Sequence, residues 1–217
     1  MVSELRPPVP RLLAAGAAGY LLGTLTSADI VSRLATGGRI DLRAVGSGNP
    51  GGMNAMRVLG RRAGVAVAVA DVGKGALACV VGRAVAGDIG AHTAGVAAVA
   101  GHCYPVWKAF EGGKGVATSF GQCLATFPAY APLDAALATG VAHLPGVRRP
   151  ALASVAVSSA AWVLTGILWW KRRLPNLWGP KPTAALPLAN AATVAVIASR
   201  AVTHLLRREP DELALPR

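Results

Sequence analysis

Six apolar stretches, at about residues 12–32, 64–82, 88–106, 116–143, 151–170 and 184–206, occupy most of this 217-residue chain. Each is close to or beyond the roughly 20 residues that an α-helix needs to cross about 30 Å of hydrocarbon. A chain that is 53% apolar and only 15% charged, with a mean hydropathy of +0.46, lies outside the range of soluble domains. The pattern predicts an all-α, polytopic transmembrane bundle, a single integral membrane domain over residues 1–217. Six spans are expected. The fourth run is too long for one span and holds Pro128 and Pro132, so a break there would give seven. Small residues such as Gly16–Gly19 (GAAG) let helix backbones approach closely. The first run, behind Arg6 and Arg11, also has a signal-peptide reading ending near Ser27 and Ala28, against which the run continues through IVSRL.

Charge sits between the runs. Lys and Arg number 22 against 10 Asp and Glu, placed to meet anionic head groups or acidic substrates. A nucleic-acid partner is excluded, because the charges interrupt membrane spans and leave no soluble basic domain. Cys79, Cys103 and Cys123 are odd in number and lack CxxC spacing, so they read as small core residues, with no disulfide framework and no metal site.

Arg33, Arg39, Arg43, Arg57, Arg61 and Arg62 face Asp41 alone between the first two runs, which predicts a cytoplasmic face there. Two spans later, the loop with Lys108 and Lys114 returns to the same side. Farther along, Lys171–Lys181 and Leu205–Glu212 are both basic yet one span apart, so one of them departs from the positive-inside tendency.

The two loops on that common face, residues 41–64 and 107–118, carry the chemistry. In SGNPGG (Ser47–Gly52), glycines such as Gly48 permit turns whose N–H groups converge, while Ser47, Asn49 and Asn54 add neutral donors. Arg57 follows Asn54 by three residues and shares its face if a helix starts near Met53. In EGGKG, Gly112, Gly113, Lys114 and Gly115 stand at a predicted helix start, where N–H groups and the helix dipole favour an anion. The spacing differs from that of a nucleotide-triphosphatase loop, and no strand precedes it. Either loop alone is matched by an ordinary basic turn at a membrane surface; two on one face predict a phosphate-bearing ligand.

Among single residues, His102 is a candidate base or phosphate donor, against an interfacial His that bonds backbone. Asp71 and Lys74, a helical turn apart, either line the site or neutralise one another, and pairing is the preferred reading. His92 and His143 read as interfacial, and Trp169, Trp170 and Trp178 as an aromatic belt. Arg200, inside the last run, either snorkels or supplies polarity to the site. Glu209, Asp211 and Glu212 read as a solvated tail.

GYLLGTLTSADIVSRL, DLRAVGSGNPGGMNAMRVLGRRAG, DVGKG and GHCYPVWKAFEGGKGVATSFG occur in the order and spacing of the bacterial membrane glycerol-3-phosphate acyltransferases that use acyl phosphate (PlsY), and the chain resembles that family over about Gly19–Gly121. The resemblance implies transfer of a fatty acyl group from acyl phosphate to the 1-hydroxyl of glycerol 3-phosphate in the bacterial plasma membrane, with lysophosphatidic acid and phosphate as products and no metal or nucleotide cofactor. It assigns Ser47, Arg57, Lys114 and His102 to catalysis and Gly48, Asn49, Asn54, Gly112, Gly113 and Gly115 to substrate binding; Asp71 and Lys74 also match. Its partners are acyl phosphate, glycerol 3-phosphate and membrane lipids, with the oligomeric state left open. The chain departs from the family at Met53 (GGMN for GATN), at Glu111 (EGGKG for KGGKG), at Ala151, and at Ala198 and Ala201, where an alignment on Leu205 and Leu206 places the family's third-motif His and Asn. Those departures predict either the enzyme or a diverged homologue that binds phospholipid or acyl phosphate without turnover.

Overall fold

The computed structural model describes residues 7–207. Arg6, Glu209, Asp211 and Glu212, named above, lie outside them. The described residues form eight α-helices: α1 (Val9–Gly23), α2 (Ser27–Thr36), α3 (Gly52–Leu59), α4 (Arg61–Cys103), α5 (Val116–Thr126), α6 (Ala131–Ala142), α7 (Pro150–Arg172) and α8 (Ala185–Leu206). By length and apolarity, α4 with its following turn, α7 and α8 are long enough to cross a bilayer.

The 43-residue α4 is a hairpin. Ala86 and Gly87 leave helical geometry, with Gly87 at φ 64°, and the chain reverses there. Gly82 lies against the backbone of Gly90, Cys79 against Gly95, and Asp71 against His102. These residue numbers sum to a near-constant value, the signature of two antiparallel limbs packed along their length. Any side chain at Gly82 or Gly90 would collide with the opposite limb. The runs at 64–82 and 88–106 are therefore two passes joined without a loop.

The first run ends earlier than its apolarity predicts, because α1 stops at Gly23 and α2 restarts at Ser27. Gly19 and Gly23 of α1 rest on Ala94 and Ala98 of the second α4 limb, so α1 packs closely along that limb. The fourth run is broken at Phe127–Tyr130, where Phe127 and Tyr130 stack at 5.3 Å in a core with Cys123, Trp162 and Leu186. Residues α6 and α7 form a second hairpin: the Ser154 hydroxyl donates to Ala138 O (2.7 Å), and the Ser158 hydroxyl to Asp134 (2.5 Å). Helix α8 returns beside α7, with Gly166 near Pro187 and Asn190, and Val155 near Ile197. Counted through α1, both limbs of α4, α5, α6, α7 and α8, the chain passes seven times, the count expected for a broken fourth run.

The ends of the bundle follow. Arg83 donates to Trp178 O (3.3 Å) and Lys181 N–H to Asp88 (3.3 Å), which fixes the 173–184 connection at the α4 turn. Arg200 and Arg207 instead reach the 111–112 loop at the other end. The basic segment Lys171–Lys181 is thus the one opposite the two glycine-bearing loops.

Candidate functional site

The loop before α3 is organised by Asn54, which is fully buried. Its Oδ1 accepts the Ser47 N–H (2.9 Å), and its Nδ2 donates to Leu42 O (2.9 Å) and Val45 O (3.0 Å). The Asn54 amide is therefore engaged inside the loop, which it braces over a core of Ala28, Leu42, Ala55 and Val67. Ser47 and Asn49 are buried beside it, and Asn49 N–H approaches Ser47 Oγ at 3.4 Å. Gly48 takes φ 73° between them, a left-handed turn. Arg57 follows, half-buried, in the last turn of α3.

The second loop is docked on the end of α4. After a 3-10 turn at Val106–Lys108, Gly112 N–H donates to Cys103 O and Gly113 N–H to His102 O, both at 3.1 Å. These bonds satisfy carbonyls that a helix C-terminus leaves open. The N–H groups of Gly112 and Gly113 are thus turned to α4, and what these glycines provide is close approach: a Cβ on Gly113 would strike the His102 ring at Nε2. Gly115 turns the chain at φ 84° into α5, which starts at Val116 without a side-chain cap. Its first-turn N–H groups, directly after Lys114, are the anion-favouring donors of this loop.

Between the loops lies a narrow pocket, walled by Thr24–Ala28 of the α1–α2 break, Arg43, Pro50, Asp71, Lys74, His102, Pro105, Gly112 and Gly113. Asp71 stands 2.8 Å from Lys74 Nζ and 3.5 Å from His102 Nδ1, and Lys74 also donates to Leu25 O (2.9 Å). Lys74 is only 7% exposed; a buried ammonium in a membrane span is costly unless paired, and both partners are present. At the pocket edge, Asp29 receives Arg43 Nη1 (2.5 Å) and Lys108 Nζ (2.7 Å). Burial pushes the Asp29 pKa up, but hydrogen bonds and charge from Lys108 and Arg43 outweigh it and hold the carboxyl below its ordinary value.

The structure brings His102, Gly112 and Gly113 into this pocket. Ser47, Gly48 and Asn49 stand in the adjoining loop, Asn54 and Arg57 on α3 behind it, and Lys114 and Gly115 at the α5 start; none of these seven is among the residues lining it. Sequence reading did not single out Thr24, Ser27 or Arg43 as site residues. The hydroxyls of TLTS were a signal, whereas Arg43 was one arginine among six. Asp71 and Lys74 pair as read, and they also line the pocket. His92 is buried rather than interfacial, because it packs within the hairpin.

Two departures take on a structural meaning. The Glu111 carboxylate is 3.1 Å from Arg207, the residue that caps α8, so it has a cationic partner there. On α8 the inward stripe is Asn190, Thr193, Ile197, Arg200 and His204, whereas Ala198 is exposed. The Leu205–Leu206 alignment thus placed a third-motif side chain on the outer face; the buried polar groups of this turn are Arg200 and His204. Arg200 does not snorkel: its Nη2 donates to Gly112 O (2.6 Å), and its guanidinium lies 5.5 Å above the Tyr104 ring.

A helical bundle with apolar passes and a basic, glycine-bearing candidate site at one end marks an integral membrane protein. A family model described as glycerol-3-phosphate acyltransferase matches residues 13–208, and the chain belongs to that family. It is 39% identical over 151 residues to the glycerol-3-phosphate acyltransferase of Thermoanaerobacter pseudethanolicus, covering 70% of this chain and 74% of that one. It is 49% identical over 110 residues to that of Exiguobacterium sibiricum, spanning 51% of this chain and about half, 52%, of that relative. Two crystal structures of PlsY (YgiH), an integral membrane glycerol 3-phosphate acyltransferase, are similar over 92% of this chain and 94% of theirs. The glycerol 3-phosphate form has a TM-score of 0.72 at 30% identity, and the lysophosphatidic acid form 0.73 at 28%.

Proposed function

We propose that this protein transfers a fatty acyl group from acyl phosphate to the 1-hydroxyl of glycerol 3-phosphate, releasing lysophosphatidic acid and inorganic phosphate. The observation that carries the reading is the meeting of the two glycine-bearing loops around the His102 pocket at one end of the bundle. The relatives' names and the two PlsY forms support the same substrate and product. The six arginines between residues 33 and 62 support a cytoplasmic site in a bacterial plasma membrane.

In this reading Arg57, Lys114 and the first turn of α5 take the substrate phosphates. Asp71 orients His102 through Nδ1, leaving Nε2 at Gly113 to accept the hydroxyl proton as the new C–O bond forms. The Ser47 region stabilises the oxyanion, and the tetrahedral intermediate collapses by breaking the carbonyl carbon–phosphate oxygen bond. Because the acyl phosphate is already activated, positioning supplies much of the rate and no acyl-enzyme is required. Asn54 contributes by holding the loop.

The test is lysophosphatidic acid formation by purified protein from acyl phosphate and labelled glycerol 3-phosphate. Lys114→Ala and Arg57→Ala are each expected to lower kcat/KM about 100-fold or more, with folding retained. A folded wild-type protein that makes no lysophosphatidic acid at saturating substrates would overturn the reading.

A further inference from the structure

Two consecutive peptide groups, one bond ahead of the Gly113–Lys114 peptide, are each clamped at both poles. In the Glu111–Gly112 peptide, the carbonyl accepts Arg43 Nε (3.1 Å) and the N–H donates to Cys103 O (3.1 Å). In the Gly112–Gly113 peptide, the carbonyl accepts Arg200 Nη2 (2.6 Å) and the N–H donates to His102 O (3.1 Å). Glycine resists no torsion by itself, so the orientation of these planes has to come from their partners. The α4 carbonyls fix one side, and two guanidinium groups from distant parts of the chain fix the other.

Arg43 belongs to a motif recognisable in the sequence, but Arg200 does not. It comes from within an apolar run, near the C-terminal end of α8, is 5% exposed, and stands over Tyr104. Tyr104 is itself fastened on two sides, its carbonyl accepting the Tyr20 hydroxyl (2.7 Å) and its own hydroxyl bonding Ser199 Oγ (2.7 Å). Arg200 Nε is buried with no hydrogen-bond partner among the described residues. Burying a guanidinium with one donor unmet is costly. A side chain retained only to fill space between α4 and α8 would be apolar.

We propose that Arg200 is a positioning residue for acyl transfer. By holding the Gly112 carbonyl it fixes the peptide plane that aims Lys114 and the α5 N-terminus at the substrate phosphate, and so supplies from α8 the third element of the site. The role deepens the acyltransferase reading, and its kinetic consequence rests on that reading. The clamp itself does not.

The experiment uses the full-length protein in detergent, comparing wild type, Arg200→Gln and Arg200→Lys. Amide hydrogen exchange is followed in the peptides covering residues 110–116 and in the α4 turn at 80–92. Arg200→Gln should raise exchange at 110–116 about tenfold or more and leave the α4 turn unchanged. It should also cut kcat/KM for glycerol 3-phosphate about 30-fold or more at an unchanged unfolding midpoint. Arg200→Lys, which keeps a cationic donor, should recover part of both. Unchanged exchange at 110–116 would overturn the proposal. Exchange raised equally throughout in both variants would also overturn it, since that is loss of global stability. An inactive wild type would defeat the acyltransferase reading while the exchange measurement still decides the clamp.

Discussion

Asn54 uses its whole amide to hold three backbone groups of one loop, so its replacement has a calculable consequence. Asn54→Leu removes the side-chain partner of the Ser47 N–H and of the Leu42 and Val45 carbonyls. The expected cost is about 3 kcal/mol, read as a lower thermal unfolding midpoint with loss of turnover. Glycines give a sharper contrast. Gly113→Ala drives a methyl into His102 and is expected to reduce turnover about 100-fold with the helical content intact. Gly73→Ala, on an α4 face with nothing within 4 Å of the added methyl, should be neutral or stabilise by up to about 1 kcal/mol. Residue types in SGNPGG and GGKG marked two loops, which the structure brings together at one end of the bundle. They could not say that the Asn54 amide and the Gly112 and Gly113 N–H groups face the protein, because donors pointing inward and outward have the same letters. Arg200 was readable as unusual, but its direction was not. Ala and Val surround it on α8, and the exposed Ala191, Ala192, Ala195 and Ala198 give little amphipathic contrast to orient the helix.

At the level of elements, α2, the loop before α3 and the turn after α4 meet at Asp29 through Arg43 and Lys108. The folded-state pKa of Asp29 is lowered from 3.8, so the stability it contributes is present above the unfolded value and lost as pH falls through the folded one. The difference in unfolding midpoint between wild type and Asp29→Asn should be constant from about pH 8 to 5 and shrink below about pH 4. A gap that instead grew on acidification would contradict the ionised network. Element order was largely legible, since run lengths and the two prolines marked the passes and the fourth-run break. The α1–α2 break was hidden, because Leu21–Ile30 stays apolar enough to read as one helix while Lys74 reaches Leu25 O and occupies the interruption.

Across the whole molecule, the basic segment Lys171–Lys181 stands at the end opposite the site. Charge counting left two basic segments in competition; hydrogen bonds to Arg83 and Asp88 decide between them. A membrane-impermeant thiol reagent should label Leu177→Cys in intact cells and Phe110→Cys only after the membrane is opened. Both positions are exposed, and native Cys79, Cys103 and Cys123 are buried. Labelling of both from one side would contradict the seven-pass arrangement.

The unequal arms of the α4 hairpin set a depth. Asp71 meets His102 near the end of the second arm, so the nine or ten residues from Arg61 onward continue past it, by about 13–15 Å at 1.5 Å per residue. The first arm, residues 61–85, is about 37 Å long, more than the hydrocarbon is thick, and carries Arg61 and Arg62 at its outer end. The shorter arm, residues 88–103, is about 24 Å long and ends at the level of the pocket. The pocket is therefore recessed by about 13–15 Å from the Arg61 end of the bundle, a depth that, in the proposed reaction, a water-borne polyol phosphate reaches from one side and an acyl tail from the other.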